Sequence, residues 1–231
     1  LIVVRKLLPP VIDQLLFIAR CPGSIIGYLF LLSLFVASCG SVTPSAQPQT
    51  VTVYASPSVE PWMGEVFACG SAGNIMIRVT ADAPDVSLRL GEPDDVSRNV
   101  YQIGEEEVLV VVNRESSLQN LSLREVQALF AGQADEPVQV WVFPSELDIS
   151  GLFDQFVMEG RSVTSFARIA VSPDEMSEAI NSTPNAIGVI PARWGRGDAR
   201  AVYSAGNFPV LALTSGEPQG AVRDLLTCLQ Q

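Results

Sequence analysis

Apolar residues fall into three patterns along this chain: one long continuous run, several short strand-like runs, and stretches with a three-to-four-residue period between them. The long run is residues 25–37 (IIGYLFLLSLFVA). It has the length of a signal-peptide core and falls short of the ~20 residues that cross a bilayer as a helix. Beyond it, β-branched and aromatic runs predict strands over 51–55 (VTVYA), 75–80, 86–90, 107–113 (EVLVVVN), 138–143 (VQVWVF) and 186–190 (AIGVI), with further strand material at 202 and 210–213. The almost unbroken apolar run at 107–113 is the pattern of a strand buried on both faces.

Helical stretches lie between these strands. The pattern predicts helices over 59–69, with Pro61 in the first turn, from Ser122 to about Phe130, over 151–158, around 176–180, and over 220–229. Ser122 and Glu125 have capping-box spacing, and Ser172-Pro173-Asp174-Glu175 repeats that logic. No helix fits between the strands at 75–80 and 86–90. Strands and helices alternate, so the fold class is α/β. There is no internal repeat, no heptad and no GxxxxGK[ST] loop, so nucleotide hydrolysis is not signalled.

Composition narrows the chemistry. After position 40 the chain carries 11 basic and 24 acidic residues, which argues against nucleic acid as a partner. Histidine is absent throughout and the only lysine is Lys6. The usual general base, the commonest metal ligand and Schiff-base chemistry are therefore missing, and the chain is not expected to be an enzyme or to need a cofactor. The chain begins at Leu1 and its first methionine is Met63, so the start is a non-standard codon or a fragment boundary.

The apolar run ends in Val36-Ala37-Ser38-Cys39-Gly40. This is similar to a bacterial lipobox, in which the cysteine is acylated and becomes the mature N-terminus; the other reading is an uncleaved membrane anchor. Either places the bulk of the chain outside the cytoplasm. Residues 1–39 are then a lipoprotein signal peptide, and the Pro-, Ser- and Gln-rich residues 40–50 a flexible tether. Cys69 and Cys228 remain as the mature thiols. In an oxidising compartment they pair, closing a loop worth about 5 kcal/mol on loop-entropy grounds, or they stay as two buried thiols.

Two segments carry a family resemblance. Leu109-Val110-Val111-Val112-Asn113, followed by Asn120-Leu121-Ser122 through Phe130-Ala131-Gly132, resembles the crossing strand and "N-L-[ST]-x-x-x-[LV]-x-x-[IL]-F-x-G" helix of phosphate-type substrate-binding proteins of ABC transporters. Pro184-Asn185-Ala186-Ile187-Gly188-Val189-Ile190 is similar to that family's "P-G-A-I-G-Y" return strand. The resemblance implies a two-lobed periplasmic binding protein type II fold with two crossing strands between the lobes. Lobe one spans 51–105, lobe two 106–190, and 191–231 returns to lobe one.

The resemblance also implies ligand contacts. The loop after the first strand carries Ser56 and Ser58, whose hydroxyls and backbone N–H groups face an anion in the family; without a ligand, Ser58 simply caps the following helix. The family's aspartate after the third strand is missing. Arg89 either pairs with an anion or is an exposed strand residue. The family's "R-x-x-x-S-G-T" loop corresponds to Pro144 through Gly151, where Ser145 and Ser150 remain but the arginine and threonine are gone. Glu146 and Asp148 stand there instead, and unpaired carboxylates repel a phosphate dianion.

The expected function is a membrane-anchored, monomeric receptor that delivers a small anionic solute to an ABC permease. The alternative is a binding-protein-like surface sensor or interaction module that has lost solute capture. A hydrolase built on Glu146 and Asp148 lacks a nucleophile or metal cluster beside them.

Overall fold

The computed structural model describes residues 48–93, 98–135 and 137–231. The run expected to be a signal peptide, Cys39 and most of the expected tether lie outside the described residues. Eight strands form one sheet in the order β2-β1-β3-β8-β4-β7-β5-β6. In chain order these are β1 (Gln49–Ala55), β2 (Ile75–Val79), β3 (Val86–Leu90), β4 (Asn99–Val112), β5 (Gln139–Val142), β6 (Arg168–Ile169), β7 (Ala186–Pro191) and β8 (Arg200–Thr214). The helices are α1 (Met63–Ala72), α2 (Leu123–Phe130), α3 (Asp148–Phe153), α4 (Pro173–Ser182) and α5 (Gly220–Leu229).

The architecture is α/β and two-lobed, of the periplasmic binding protein type II kind. Parallel β1, β2 and β3 make up one lobe's sheet, and β3 joins β8 in antiparallel fashion. On the other side β7 pairs with β4, and β5 and β6 extend the sheet outward in parallel. The longest of the described strands, β4 and β8, pair antiparallel from Asn99↔Thr214 to Val112↔Arg200 with three register shifts. Those irregularities twist and bend the long ribbon so that it serves both lobes.

Alternation explains the core. Val51 and Val53 of β1 and Val86, Leu88 and Leu90 of β3 are buried, while the residues between them in each strand are not. They pack with Val66 of α1 and Leu225 and Leu226 of α5. A disulfide joins α1 to α5 through Cys69 and Cys228, with Cα atoms 5.8 Å apart, which closes the alternative left open by cysteine counting. In lobe two, Val110, Val112, Ile187 and Val189 are buried with Val126, Phe130, Met176 and Ile180. A Cβ on Gly188 would sit 2.5 Å from Met176 Sδ, so the thioether could stay where it is only over a glycine.

Several boundaries differ from the sequence expectation. β1 begins at Gln49, two residues before the expected 51. The helix expected over 59–69 is a 3-10 turn over Pro57–Trp62 followed by α1. β4 begins eight residues before the expected 107, because pairing with β8 recruits a segment rich in glutamate. The two late strand fragments are one strand, β8. The helix expected from 151 starts at Asp148 and ends in a π turn over Asp154–Met158. The capping box at Ser122 forms as read, with Ser122 N–H donating to Glu125 at 2.7 Å.

Candidate functional site

The site forms where β1 and β3 end in lobe one and α3 begins in lobe two. β1 ends at Ala55, and Ser56 then turns the chain, its N–H donating to Leu88 O at 2.9 Å. Pro57 starts the 3-10 turn, and the hydroxyl of Ser56, its N-cap residue, makes no capping bond. The hydroxyls of Ser56 and Ser58 point across the cleft instead, which replaces the capping reading of Ser58.

Both meet Asp148, the first residue of α3. Ser56 Oγ donates to Asp148 Oδ2 at 2.6 Å, and Ser58 Oγ donates to Oδ1 in a short bond. Leu90 N–H, at the end of β3, donates to Oδ2 at 2.8 Å. Ile149 N–H donates to Oδ1 at 2.9 Å. Each carboxylate oxygen therefore accepts two hydrogen bonds, which fills its lone-pair sites. The start of α3 adds the favourable end of a short helix dipole. Asp148 is thus not an unpaired, repelling carboxylate; it is held by three donors of the opposite lobe.

A cleft of about 840 Å³ opens beside this cluster, and Ser56, Arg89, Ser145, Glu146 and Asp148 all line it. Arg89 points into the cleft with Ser87 and Tyr54, and its Nε is buried with no hydrogen-bond partner among the described residues. Ser150 does not join Ser56 and Ser58. It lines a smaller cavity of about 220 Å³ within lobe two, shared with Ser145 and Asp154. Burial raises the Asp154 carboxyl above its usual range. Among the described residues no cluster of histidine, cysteine and carboxylate side chains could hold a metal ion, and no helix is long and apolar enough to cross a membrane.

A second cluster, termed the hinge, lies where the crossing strand β4 passes the first turn of lobe one. Glu106 of β4 is buried, accepting from Trp62 Nε1 at 2.9 Å and from Arg193 N–H at 2.8 Å, with Arg193 Nε 3.3 Å away. The Arg193 guanidinium stacks 4.0 Å over the Trp62 ring and also pairs with Glu65 of α1. A Cβ on Gly104 would lie 2.1 Å from Trp62, so glycine is required where the crossing strand passes this ring. Trp194 Nε1 donates to Pro57 O at 3.0 Å, tying the chain just after β7 to the first turn of lobe one.

Sequence reasoning named Ser56, Ser58 and Arg89 but missed the role of Asp148. The available signal was an acidic residue opening a helix at the position where the resembled family carries its anion-binding loop.

No protein-family model matches the sequence, and no curated protein matches it. Solved structures do match in fold. A protein assigned as a phosphate ABC transporter substrate-binding protein from Clostridium perfringens, solved with bound phosphate, superposes with a TM-score of 0.70 at 14% identity, covering 78% of this chain and 93% of that one. An ABC-type phosphate transport receptor from Vibrio cholerae gives 0.59 at 14% identity, covering 78% and 93%. The CcmR regulatory domain from Synechocystis PCC6803, in complex with 2-PG, gives 0.60 at 11% identity, covering 79% and 96%. Likeness at these identities establishes the fold, one shared by transport receptors and regulatory domains.

Proposed function

We propose that this chain is an extracytoplasmic binding-protein module, tethered to the membrane through lipid on Cys39, that acts as a surface sensor or interaction module and does not hand a free oxyanion to an ABC permease. The observation that carries this reading is the Asp148 carboxylate bonded to Ser56, Ser58 and Leu90 N–H, the donors a free anion would need. The loss of the family's arginine and threonine from the loop at 144–151 supports it. So does a fold shared with regulatory domains. In this reading lobe one takes residues 51–105 and the return segment 191–231, and lobe two takes 106–190. No catalytic role is assigned to Asp148, whose carboxylate is fully engaged, or to Glu146.

The test uses residues 47–231, which form one compact unit. A ligand that binds only the folded state raises its melting temperature. Phosphate, sulfate and molybdate at up to millimolar concentration are expected to give no saturable rise. A saturable rise with micromolar phosphate would restore the transport reading. The tether is checked separately: Cys39→Ala should release the protein from the membrane fraction, and unchanged anchoring would remove the lipid from the proposal.

A further inference from the structure

Resting on that reading, the regulation of the same seat can be specified. We propose that Asp148 is a displaceable intramolecular ligand, and that the seat it fills takes a monoanionic carboxylate when Asp148 is removed or outcompeted. The seat has the donors for this. Two hydroxyls and one backbone N–H of lobe one converge on the two oxygens of a single carboxylate, and charge-assisted bonds of this kind are the stronger ones. No guanidinium bonds to Asp148 among the described residues, so the seat offers hydrogen bonds without a countercharge. That matches one negative charge. A dianion would be desolvated there without compensation.

The surroundings supply a route and room for more than a bare carboxylate. The seat opens directly onto the cleft of about 840 Å³. Arg89 lines that cleft with a buried, unbonded Nε, a donor that no described protein group satisfies. A carboxylate on a larger ligand would pass a cation on its way to Ser56 and Ser58. Displacement also separates α3 from the ends of β1 and β3, which couples occupancy to the lobe contact at the mouth. Asp148 competes at the effective concentration of a group attached to the same chain, on the order of millimolar or above. Dilute anions therefore leave the wild-type protein unchanged.

The experiment compares residues 47–231 as wild type, Asp148→Ala, Asp148→Asn and Ser58→Ala/Asp148→Ala, titrating acetate, then sulfate and phosphate, with melting temperature and isothermal calorimetry as readouts. Asp148→Ala is expected to gain saturable acetate binding with an apparent Kd at least tenfold below that of the wild type, and to prefer acetate to either dianion. Asp148→Asn, whose amide still fills the seat, gains none, and the double variant loses the gain. Circular dichroism and the mass of the intact disulfide confirm folding; if Asp148→Ala does not fold, Asp148→Ser, which suits a helix start, is measured in its place. An alanine or serine variant that is folded yet responds to acetate as the wild type does overturns the displaceable-ligand proposal, as does tighter binding of a dianion. The wild-type arm keeps the two readings apart: tight wild-type phosphate binding sinks the sensor reading, whereas silence in every variant sinks only the displacement.

Discussion

Two of the clusters that join the lobes are built on a carboxylate, and they are chemically unlike. At the hinge, Glu106 is buried and balanced by Arg193, with the Trp62 indole and the Arg193 N–H completing its bonds. At the mouth, Asp148 is partly buried and bonded by hydroxyls and N–H groups alone. A buried ion with a countercharge and few solvent contacts has no competitor, because replacing either partner strands the other. A carboxylate held by neutral donors at the edge of an open cleft can be exchanged for another carboxylate. On this contrast the Glu106 cluster holds the fold, and the mouth is where the proposed displacement would act.

The largest effect should come from the hinge. Glu106→Ala leaves Trp62 Nε1 and the Arg193 N–H without their acceptor and opens a void between the crossing strand and the first turn of lobe one. It should cost about 3 kcal/mol in urea unfolding, with Glu106→Gln costing less because the amide oxygen still accepts. A loss below about 1 kcal/mol would break the comparison, since the hinge would then be no more structural than an exposed pair.

The mouth should yield less. Ser58→Ala removes one hydrogen bond to a carboxylate whose other three donors remain, and should cost about 1–2 kcal/mol. A double-mutant cycle between Ser58 and Asp148 sharpens this, because directly bonded groups couple by at least 0.5 kcal/mol on the usual scale. A coupling of zero would mean that the two side chains do not hold the lobes together in solution.

Much of this architecture was legible in the sequence because it rests on local chemistry. β3 spans the expected residues 86–90, and the capping box at Ser122 sets the start of α2. The first half of β4 was not legible, since the stretch from Asn99 to Glu106 mixes Asn99, Gln102, Gly104, Glu105 and Glu106 without an apolar period and becomes strand by pairing with β8. β6 is two residues long and carries no periodicity. Ser56 and Ser58 were visible as donors beside a strand end. Their partner was not, because it lies 92 and 90 residues away and no local pattern announces such a pairing. Arg193 and Glu106, 87 residues apart, were hidden for the same reason.

Asp85 offers the smallest and most diagnostic effect, because it repeats the chemistry of the mouth inside one lobe. Its Oδ2 accepts from the Thr52 hydroxyl at 2.6 Å and from Thr52 N–H at 2.8 Å. The Thr52 hydroxyl, then its N–H, and to a smaller extent Arg78, hold the Asp85 carboxyl below its usual value, against a small opposing effect of burial. A carboxylate depressed on folding stabilises the protein above its unfolded pKa, about 3.9, and that contribution is lost as pH falls through the lower folded value. Asp85 is exposed to solvent, so Asp85→Asn should cost only about 0.5 kcal/mol at pH 7. The gap between wild type and variant should close as pH drops below about 4. This variant should leave the response of Asp148→Ala to acetate untouched, because Asp85 bonds within lobe one. If Asp85→Asn alters acetate binding as strongly as Ser58→Ala does, hydroxyl-held carboxylates would affect the seat from anywhere in lobe one, and the contrast between mouth and hinge would lose its spatial meaning.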